Sequence, residues 1–303
     1  MSKVLVTGGA GFIGSNLTDW LINAGHEAVV IDNLVTGKRE NLNPKAKFIE
    51  VDITNYEAIA PHFAGVEVVF HTAALARIQP SIQNPLPYNE TNITGTLNVL
   101  WAAKNAGVKK VVYSASSSAY GRDEDVALRE DMDARPGSPY ALQKYVGELY
   151  CQLFSKLYGL QTVCLRYFNV YGPRQITEGA YAAVIGIFLQ QRKDGKPMTI
   201  VGDGTQRRDF THIEDVVNAN VLAWEKDVPP GDVINVGAGN NYSINEIANF
   251  IAGATVNTPE RPGEYKTTLA DNSKARELLG WAPTRELPEA IAQLLEQHGI
   301  TKV

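Results

Sequence analysis

Cysteine is scarce: the 303-residue chain carries only Cys151 and Cys164, each inside an apolar run and without the spacing of a metal site. That excludes a disulfide-stapled scaffold and fits a reduced, cytoplasmic protein; no metal is expected. Basic charge is also short, with 28 Lys and Arg against 33 Asp and Glu and a net charge of -5. No basic stripe gathers them, so nucleic acid is not an expected partner. Long hydrophobic runs are missing as well. The opening stretch, residues 1–7, is a short apolar run that meets glycine at once, and it reads as neither a signal peptide nor a membrane span. Low-complexity segments and internal repeats are absent, and no Pro/Gly-rich linker divides the chain. What remains, 44% apolar and 20% charged residues, is an ordinary globular composition, long enough to bury a substantial core in one large domain or two.

Apolar, β-branched runs alternate with helical periodicity through the first half. The pattern predicts strands over 3–7, 27–32, 47–51, 66–71, 109–115 and 161–167, with helices over 12–24, 86–105 and from Pro139 to about 158. Such alternation marks βαβ units, a parallel sheet and helices on both faces. Beyond 168 the regularity loosens. A loop covers 169–179 and helices are predicted over 181–193, 214–226, 244–251, 273–279 and 287–297, with short strands over 197–201, 208–211 and 232–236.

Thr7-Gly8-Gly9-Ala10-Gly11-Phe12-Ile13-Gly14 leaves the first strand and opens a helix. Gly8 permits the tight turn, Gly11 lets the backbone approach a pyrophosphate, and Gly14 allows close helix–strand packing. Phe12 and Ile13 begin the helix, whose free N–H groups and positive dipole suit phosphate. The spacing sets the first two glycines one residue further apart than the usual dinucleotide fingerprint. Asp32 ends the second strand, where a carboxylate accepts both adenosine ribose hydroxyls and repels a 2′-phosphate. Asn33 beside it adds no positive charge, so the cofactor is read as NAD rather than NADP. Asp52 and Ile53, after the third strand, are candidates for the adenine edge and ring. The fold class is therefore α/β: a Rossmann-type doubly wound parallel sheet with a smaller, interleaved α+β substrate-binding lobe. Residues 1–168 are assigned mainly to the NAD-binding domain, to which later segments return, and 169–303 mainly to the substrate lobe.

Ser114-Ala115-Ser116-Ser117-Ser118-Ala119-Tyr120-Gly121 follows the fifth strand, at the carboxyl edge where ligands of open parallel sheets bind. In Ser138-Pro139-Tyr140-Ala141-Leu142-Gln143-Lys144, Ser138 is placed as an N-cap and Pro139 as the first helical residue. Tyr140 and Lys144 then share one helix face. A free tyrosine, with a pKa of about 10, is a poor base at neutral pH; a neighbouring cation favours its phenolate. Arg77, after the fourth strand, reads as a solvated loop charge or, if its loop faces the ligand, as a cation in the crevice.

With these motifs in this order the chain resembles the extended short-chain dehydrogenase/reductase superfamily. Within it, the chain resembles the UDP-glucose 4-epimerase family, and most closely its UDP-N-acetylglucosamine 4-epimerase branch. The resemblance also rests on His71-Thr72-Ala73-Ala74, Asn92-Ile93-Thr94-Gly95-Thr96, Leu165-Arg166-Tyr167-Phe168-Asn169-Val170-Tyr171-Gly172, Gly202-Asp203-Gly204-Thr205-Gln206-Arg207-Arg208-Asp209-Phe210 and Arg261-Pro262-Gly263-Glu264. It implies that Ser116 and Tyr140 act in catalysis while Lys144 holds the nicotinamide ribose and lowers the tyrosine pKa. It places Thr72, Ala73, Ala74, Asn92, Ser114 and Tyr167 around the cofactor. It assigns Ser117, Asn169, Ala183, Val184, Thr199, Val201, Arg208, Arg261 and Glu264 to the UDP-sugar. Thr268 falls where members confined to UDP-glucose and UDP-galactose carry a bulky aromatic, so a threonine leaves room for a 2-acetamido group. Related 4,6-dehydratases place an acidic pair before the equivalent of Tyr120; here Ser117-Ser118-Ala119 stand there, which favours epimerisation. A homodimer through a four-helix bundle is implied too. Two alternatives stay open: a UDP-glucuronate 4-epimerase or decarboxylase, which would need a cationic subsite for the carboxylate, and a non-catalytic NAD-binding regulator.

Overall fold

The structure, a computed structural model, describes residues 1–121, 126–179, 181–260 and 265–300. Six strands come from the first half: β1 (Lys3–Thr7), β2 (Glu27–Asp32), β3 (Lys47–Glu50), β4 (Val68–His71), β5 (Lys110–Ser116) and β6 (Gln161–Tyr167). Asp232–Val236 joins them as a seventh, pairing with β6, so that the order across the sheet is Asp232–Val236, β6, β5, β4, β1, β2, β3, all parallel. The chain runs outward from β1 to β3 and then returns to place β4 on the other side of β1. That reversal opens a crevice at the carboxyl ends of β1 and β4. Register brings the strand ends level: Thr7 lies opposite both Ile31 and His71, and Ser116 lies opposite Tyr167.

The strands are apolar on both faces because helices cover both. Val4, Val6, Phe70 and Leu165 pack under helices Phe12–Asn23, Ile213–Glu225 and Ser273–Leu279. Leu5, Ile31, Val69 and Val111 pack under Gly95–Asn105 and Pro139–Tyr158. Each fully buried side chain of this kind contributes about 1.5–3 kcal/mol. A third core, with Ile185, Phe188, Ile247, Ile251, Ile291 and Leu294, joins helices Val184–Lys193, Ile244–Ile251 and Leu287–Gln297. The later half thus both extends the sheet and builds a body of its own.

Helix Pro139–Tyr158 takes the bounds its local signals predict. The Ser138 hydroxyl accepts the Ala141 N–H at 3.2 Å, Pro139 occupies the first turn, and Gly159 turns left-handed at the end. The helix expected over 86–105 differs. It is built as Pro85–Asn89, a π-helical turn Glu90–Thr94, and Gly95–Asn105. The wide turn lies where the buried Asn92 amide bonds both the N–H and the carbonyl of Leu75, at 2.9 Å each, and donates to Gln143. A short helix, Ile78–Gln83, precedes it. The strand expected over 208–211 splits into Arg207–Asp209, antiparallel to Asn241–Ser243, and Thr211–His212, parallel to Val170–Tyr171. The helix expected from 181 begins at Val184.

Candidate functional site

One cavity of about 710 Å³ follows the carboxyl edge of the sheet and continues between the two halves of the chain. Its volume is that of a site for a cofactor or a small molecule.

At one end lie Gly8, Gly11, Phe12, Ile13, Gly14, Asp32, Asn33, Asp52 and Ile53. The turn is closed by Gly11 N–H on the Gly8 carbonyl at 3.0 Å, and Gly8 holds a φ of +73°. A Cβ on Gly14 would sit 2.3 Å from the Gly8 carbonyl oxygen and 2.7 Å from Thr72 Oγ1. No side chain caps helix Phe12–Asn23, so its first N–H groups remain available to an anion. Asp32 is 8% exposed and accepts the Ala10 and Leu34 N–H groups at 3.0 and 2.8 Å. Burial raises its pKa, and those backbone donors pull it back. Asp52 is tied to Asn33, whose amide donates to it at 2.6 Å. A glycine cradle too tight for a Cβ, an uncapped helix and a strand-end carboxylate together fit NAD.

Thr72, Ala73, Ala74 and Tyr167 line the middle of the cavity, with Ser116, Ser117 and Tyr140. The Tyr140 N–H donates to Ser81 Oγ at 3.2 Å, which fixes the start of its helix. Burial raises the Tyr140 pKa, while a hydrogen bond with Ser116 and the charge of Arg77 lower it. Ser116 Oγ lies 2.9 Å from Ser118 Oγ and also accepts the Ser118 N–H.

Lys144, Ser114 and Asn92 are not among the lining residues and stand just behind them. Lys144 is buried, its ammonium donating to the Ser114 carbonyl at 2.8 Å and lying 5.0 Å from the Tyr113 ring centre. Burial drops its pKa to about 8, with Glu148 among the groups that lift it. The Ser114 hydroxyl donates to Tyr167, which donates to Asn220 at 3.0 Å. His71 is wedged between the Thr7 and Thr96 hydroxyls at 2.7 and 2.9 Å, and burial, aided by Lys144, pushes its pKa to about 3. A neutral imidazole there serves packing.

At the far end stand Asn169, Ala183, Val184, Thr199, Val201, Arg208 and Thr268. Thr268 Oγ1 accepts from the Asn169 amide and from the Asp209 N–H, both at 3.3 Å. Arg208 donates to the carbonyls of Arg207 and Lys266. Arg261 and Glu264 lie outside the described residues.

Arg77 lines the cavity, as the reading that turns its loop toward the ligand expects, and its Nε donates to the Tyr181 carbonyl at 2.7 Å, an anchor far away in sequence. Two features were not foreseen. Glu148 and Arg166 form a buried, two-pronged ion pair at 2.9 and 2.7 Å. Asp209, beside Arg208, accepts the N–H groups of Ala238, Gly239 and Ala270 at 2.8, 2.9 and 3.0 Å. Burial lifts its pKa to about 6 despite them. Among the described residues no group of three or more His, Cys, Asp or Glu is placed to hold a metal ion, and no helix is long and apolar enough to cross a membrane.

Residues 4–237 match the model of the NAD dependent epimerase/dehydratase family. A putative UDP-glucose 4-epimerase of Methanocaldococcus jannaschii is 38% identical over 96% of this chain and 97% of its own length. A UDP-glucuronate 4-epimerase of Thermodesulfobacterium geofontis is 37% identical over 96% and 94%. The crystal structure of the Thermotoga maritima UDP-glucose 4-epimerase with UDP-glucose superposes with a TM-score of 0.93 at 38% identity, covering 97% of each chain. The UDP-N-acetylglucosamine 4-epimerase of Methanobrevibacter ruminantium, in complex with UDP-N-acetylmuramic acid, gives 0.91 at 38% identity over 98% and 99%.

Proposed function

Since the chain belongs to the NAD dependent epimerase/dehydratase family, we propose that it is a UDP-hexose 4-epimerase. It interconverts UDP-glucose with UDP-galactose, and UDP-N-acetylglucosamine with UDP-N-acetylgalactosamine, through a 4-keto sugar. The observation that carries this reading is that Tyr140 and Ser116 line one cavity together with the glycine turn, Asp32 and Arg208.

NAD held on the glycine turn supplies a transient acceptor for the C4 hydrogen. Tyr140 takes the O4 proton and later returns one, and Ser116 orients the hydroxyl. Lys144, one helical turn behind, supplies positive charge toward the cofactor ribose. Asn169, Arg208 and the backbone at Ala183 and Val184 grip the nucleotide and diphosphate, with Thr199 and Val201 lining the wall; Arg261 and Glu264 are assigned to the same grip. The sugar is left free to turn its other face. Among the described lining residues the carboxylates are Asp32 and Asp52, both in the NAD cradle. None is placed to eliminate water from the sugar, which supports epimerisation over dehydration. Thr268, small and cavity-lining, leaves space for an acetamido group.

Leu142, Leu149, Leu153 and Leu157 lie exposed along helix Pro139–Tyr158, with Leu86 and Trp101 also exposed. That unpartnered apolar stripe supports a homodimer built as a four-helix bundle; light scattering tests it.

The deciding experiment incubates the purified protein with UDP-glucose, UDP-galactose and their N-acetylated counterparts without added NAD. Interconversion of both pairs is expected, and an inert protein that still binds NAD overturns the reading in favour of a regulator. Arg77 favours a second substrate, UDP-glucuronate, whose carboxylate it could meet; product analysis with that sugar separates the two.

A further inference from the structure

Tyr113, on β5, is not among the residues lining the cavity, yet it touches Lys144 at both ends. Its ring centre lies 5.0 Å from the Lys144 ammonium, within the reach of a cation–π contact. Its hydroxyl donates to the Lys144 carbonyl at 3.4 Å. Tyr113 is 1% exposed, and burial raises its pKa, so that hydroxyl stays a donor. The helix makes room for the ring. Gly147 stands in the interior of Pro139–Tyr158, where glycine weakens a helix, and its φ is not left-handed. A Cβ there would lie 2.1 Å from the Tyr113 oxygen and 2.4 Å from the ring carbon that bears it. The glycine is therefore explained by the approach of Tyr113, not by the backbone.

The contact matters because of what Lys144 lacks. Among the described residues its buried ammonium has one acceptor, the Ser114 carbonyl at 2.8 Å, and no carboxylate pairs with it. The other titratable groups around it do not fill the gap. Glu148, one turn further along the helix, gives both oxygens to Arg166 on β6. His71, on β4, is held neutral between two threonine hydroxyls. Cys151, on the same helix, is a buried thiol, and Tyr140 is a phenol whose pKa burial raises. Burial has brought the Lys144 pKa down to about 8, so at neutral pH its charge depends on a modest stabilisation. A carboxylate in contact would supply that stabilisation but cancel the positive charge wanted beside the cofactor ribose. An aromatic face attracts a cation through its quadrupole and carries no net charge.

We propose that Tyr113 is a positioning residue for Lys144, its ring keeping the ammonium charged and in place without neutralising it. The proposal rests on the 4-epimerase reading, in which Lys144 supplies positive charge toward the cofactor.

The test replaces Tyr113 in three ways. Tyr113→Phe keeps the aromatic face, a trifluorinated phenylalanine incorporated at position 113 keeps its shape but strips its negative charge, and Tyr113→Leu removes it. One readout is carbon NMR titration of the Lys144 side chain in lysine-labelled holoprotein, the signal identified by its loss in Lys144→Arg; it needs no turnover. The other is the alkaline limb of kcat/KM against pH with UDP-galactose. Since the face favours the charged ammonium, its loss lets the proton leave at lower pH. The fluorinated and leucine variants should therefore move both titrations downward by about one pH unit, while Tyr113→Phe leaves them nearly in place. A Lys144 titration that the fluorinated ring leaves unmoved overturns the proposal, even where Tyr113→Leu fails to fold. So does a Tyr113→Phe shift as large as that of the fluorinated ring, which would assign the effect to the hydroxyl. A parent protein that converts no sugar fails the epimerase reading, while the NMR titration still decides the role of Tyr113.

Discussion

Replacing Arg166 with methionine should destabilise this protein more than almost any other single surface-neutral change. Arg166 on β6 and Glu148 on helix Pro139–Tyr158 are 4% and 1% exposed, and two hydrogen bonds at 2.9 and 2.7 Å join them. The guanidinium also lies 4.5 Å from the Tyr120 ring centre. Burial works against the Arg166 cation, but the Glu148 carboxylate outweighs it and raises the arginine pKa. Arg166→Met strands a carboxylate in the core, at a cost of about 3–5 kcal/mol. At roughly 2–4 °C per kcal/mol for a chain of this size class, the midpoint should fall by roughly 6–20 °C. Glu148→Leu combined with Arg166→Met removes both charges and should recover most of that loss. Urea denaturation of the two single variants and the double variant closes the cycle. The reasoning fails if Arg166→Met lies within about 1 kcal/mol of the parent, or if the double variant loses as much as the sum of the singles.

The same cycle has a functional arm. Glu148 is one of the groups that lift the Lys144 pKa, which burial has already brought down to about 8. The double variant should therefore fold well yet lose the Lys144 charge at lower pH, so that the alkaline limb of kcat/KM moves downward.

Tyr140→Phe should lower kcat by roughly 10²–10⁴-fold, with the thermal midpoint and retained NAD unchanged; full activity would remove the phenol from the mechanism. Gly14→Ala places a methyl 2.3 Å from the Gly8 carbonyl oxygen, so the purified protein should carry less NAD, read from its absorbance ratio and by displacement. Thr268→Tyr should depress turnover of the N-acetylated sugars relative to UDP-glucose; an unchanged ratio sinks the idea of a gate. Asp209→Asn turns an amide NH₂ toward at least one of the three N–H groups its carboxylate accepts. It should cost about 1–3 kcal/mol and raise KM more than it lowers kcat, since Asp209 organises the wall beside Arg208.

Local signals were enough where the chain obeys its neighbours. Ser138, Pro139 and Gly159 set the bounds of helix Pro139–Tyr158, and the apolar runs at Lys3–Thr7, Glu27–Asp32 and Gln161–Tyr167 became strands with the bounds expected. Short, polar strands were not legible: Thr255–Thr258 is a strand only because Met198–Val201 lies beside it. The π-helical turn at Glu90–Thr94 was equally hidden, since the Asn92 amide reaches Leu75 and Gln143, partners that helical periodicity does not contain.

The site divides along the same line, and Tyr140 shows why it matters. Which residues line the cavity followed from motifs at strand ends, because a parallel sheet delivers those ends to one edge. Which charge each residue feels did not follow, because that depends on groups brought together from distant parts of the chain. The Tyr-x-x-x-Lys spacing puts Tyr140 and Lys144 on one helix face, but it does not contain the Ser114 carbonyl that takes the Lys144 ammonium at 2.8 Å. Nor does it contain the Tyr181 carbonyl that fastens Arg77 in the wall of the same cavity. A motif of this kind fixes where a base stands; the tertiary fold decides how readily it gives up its proton.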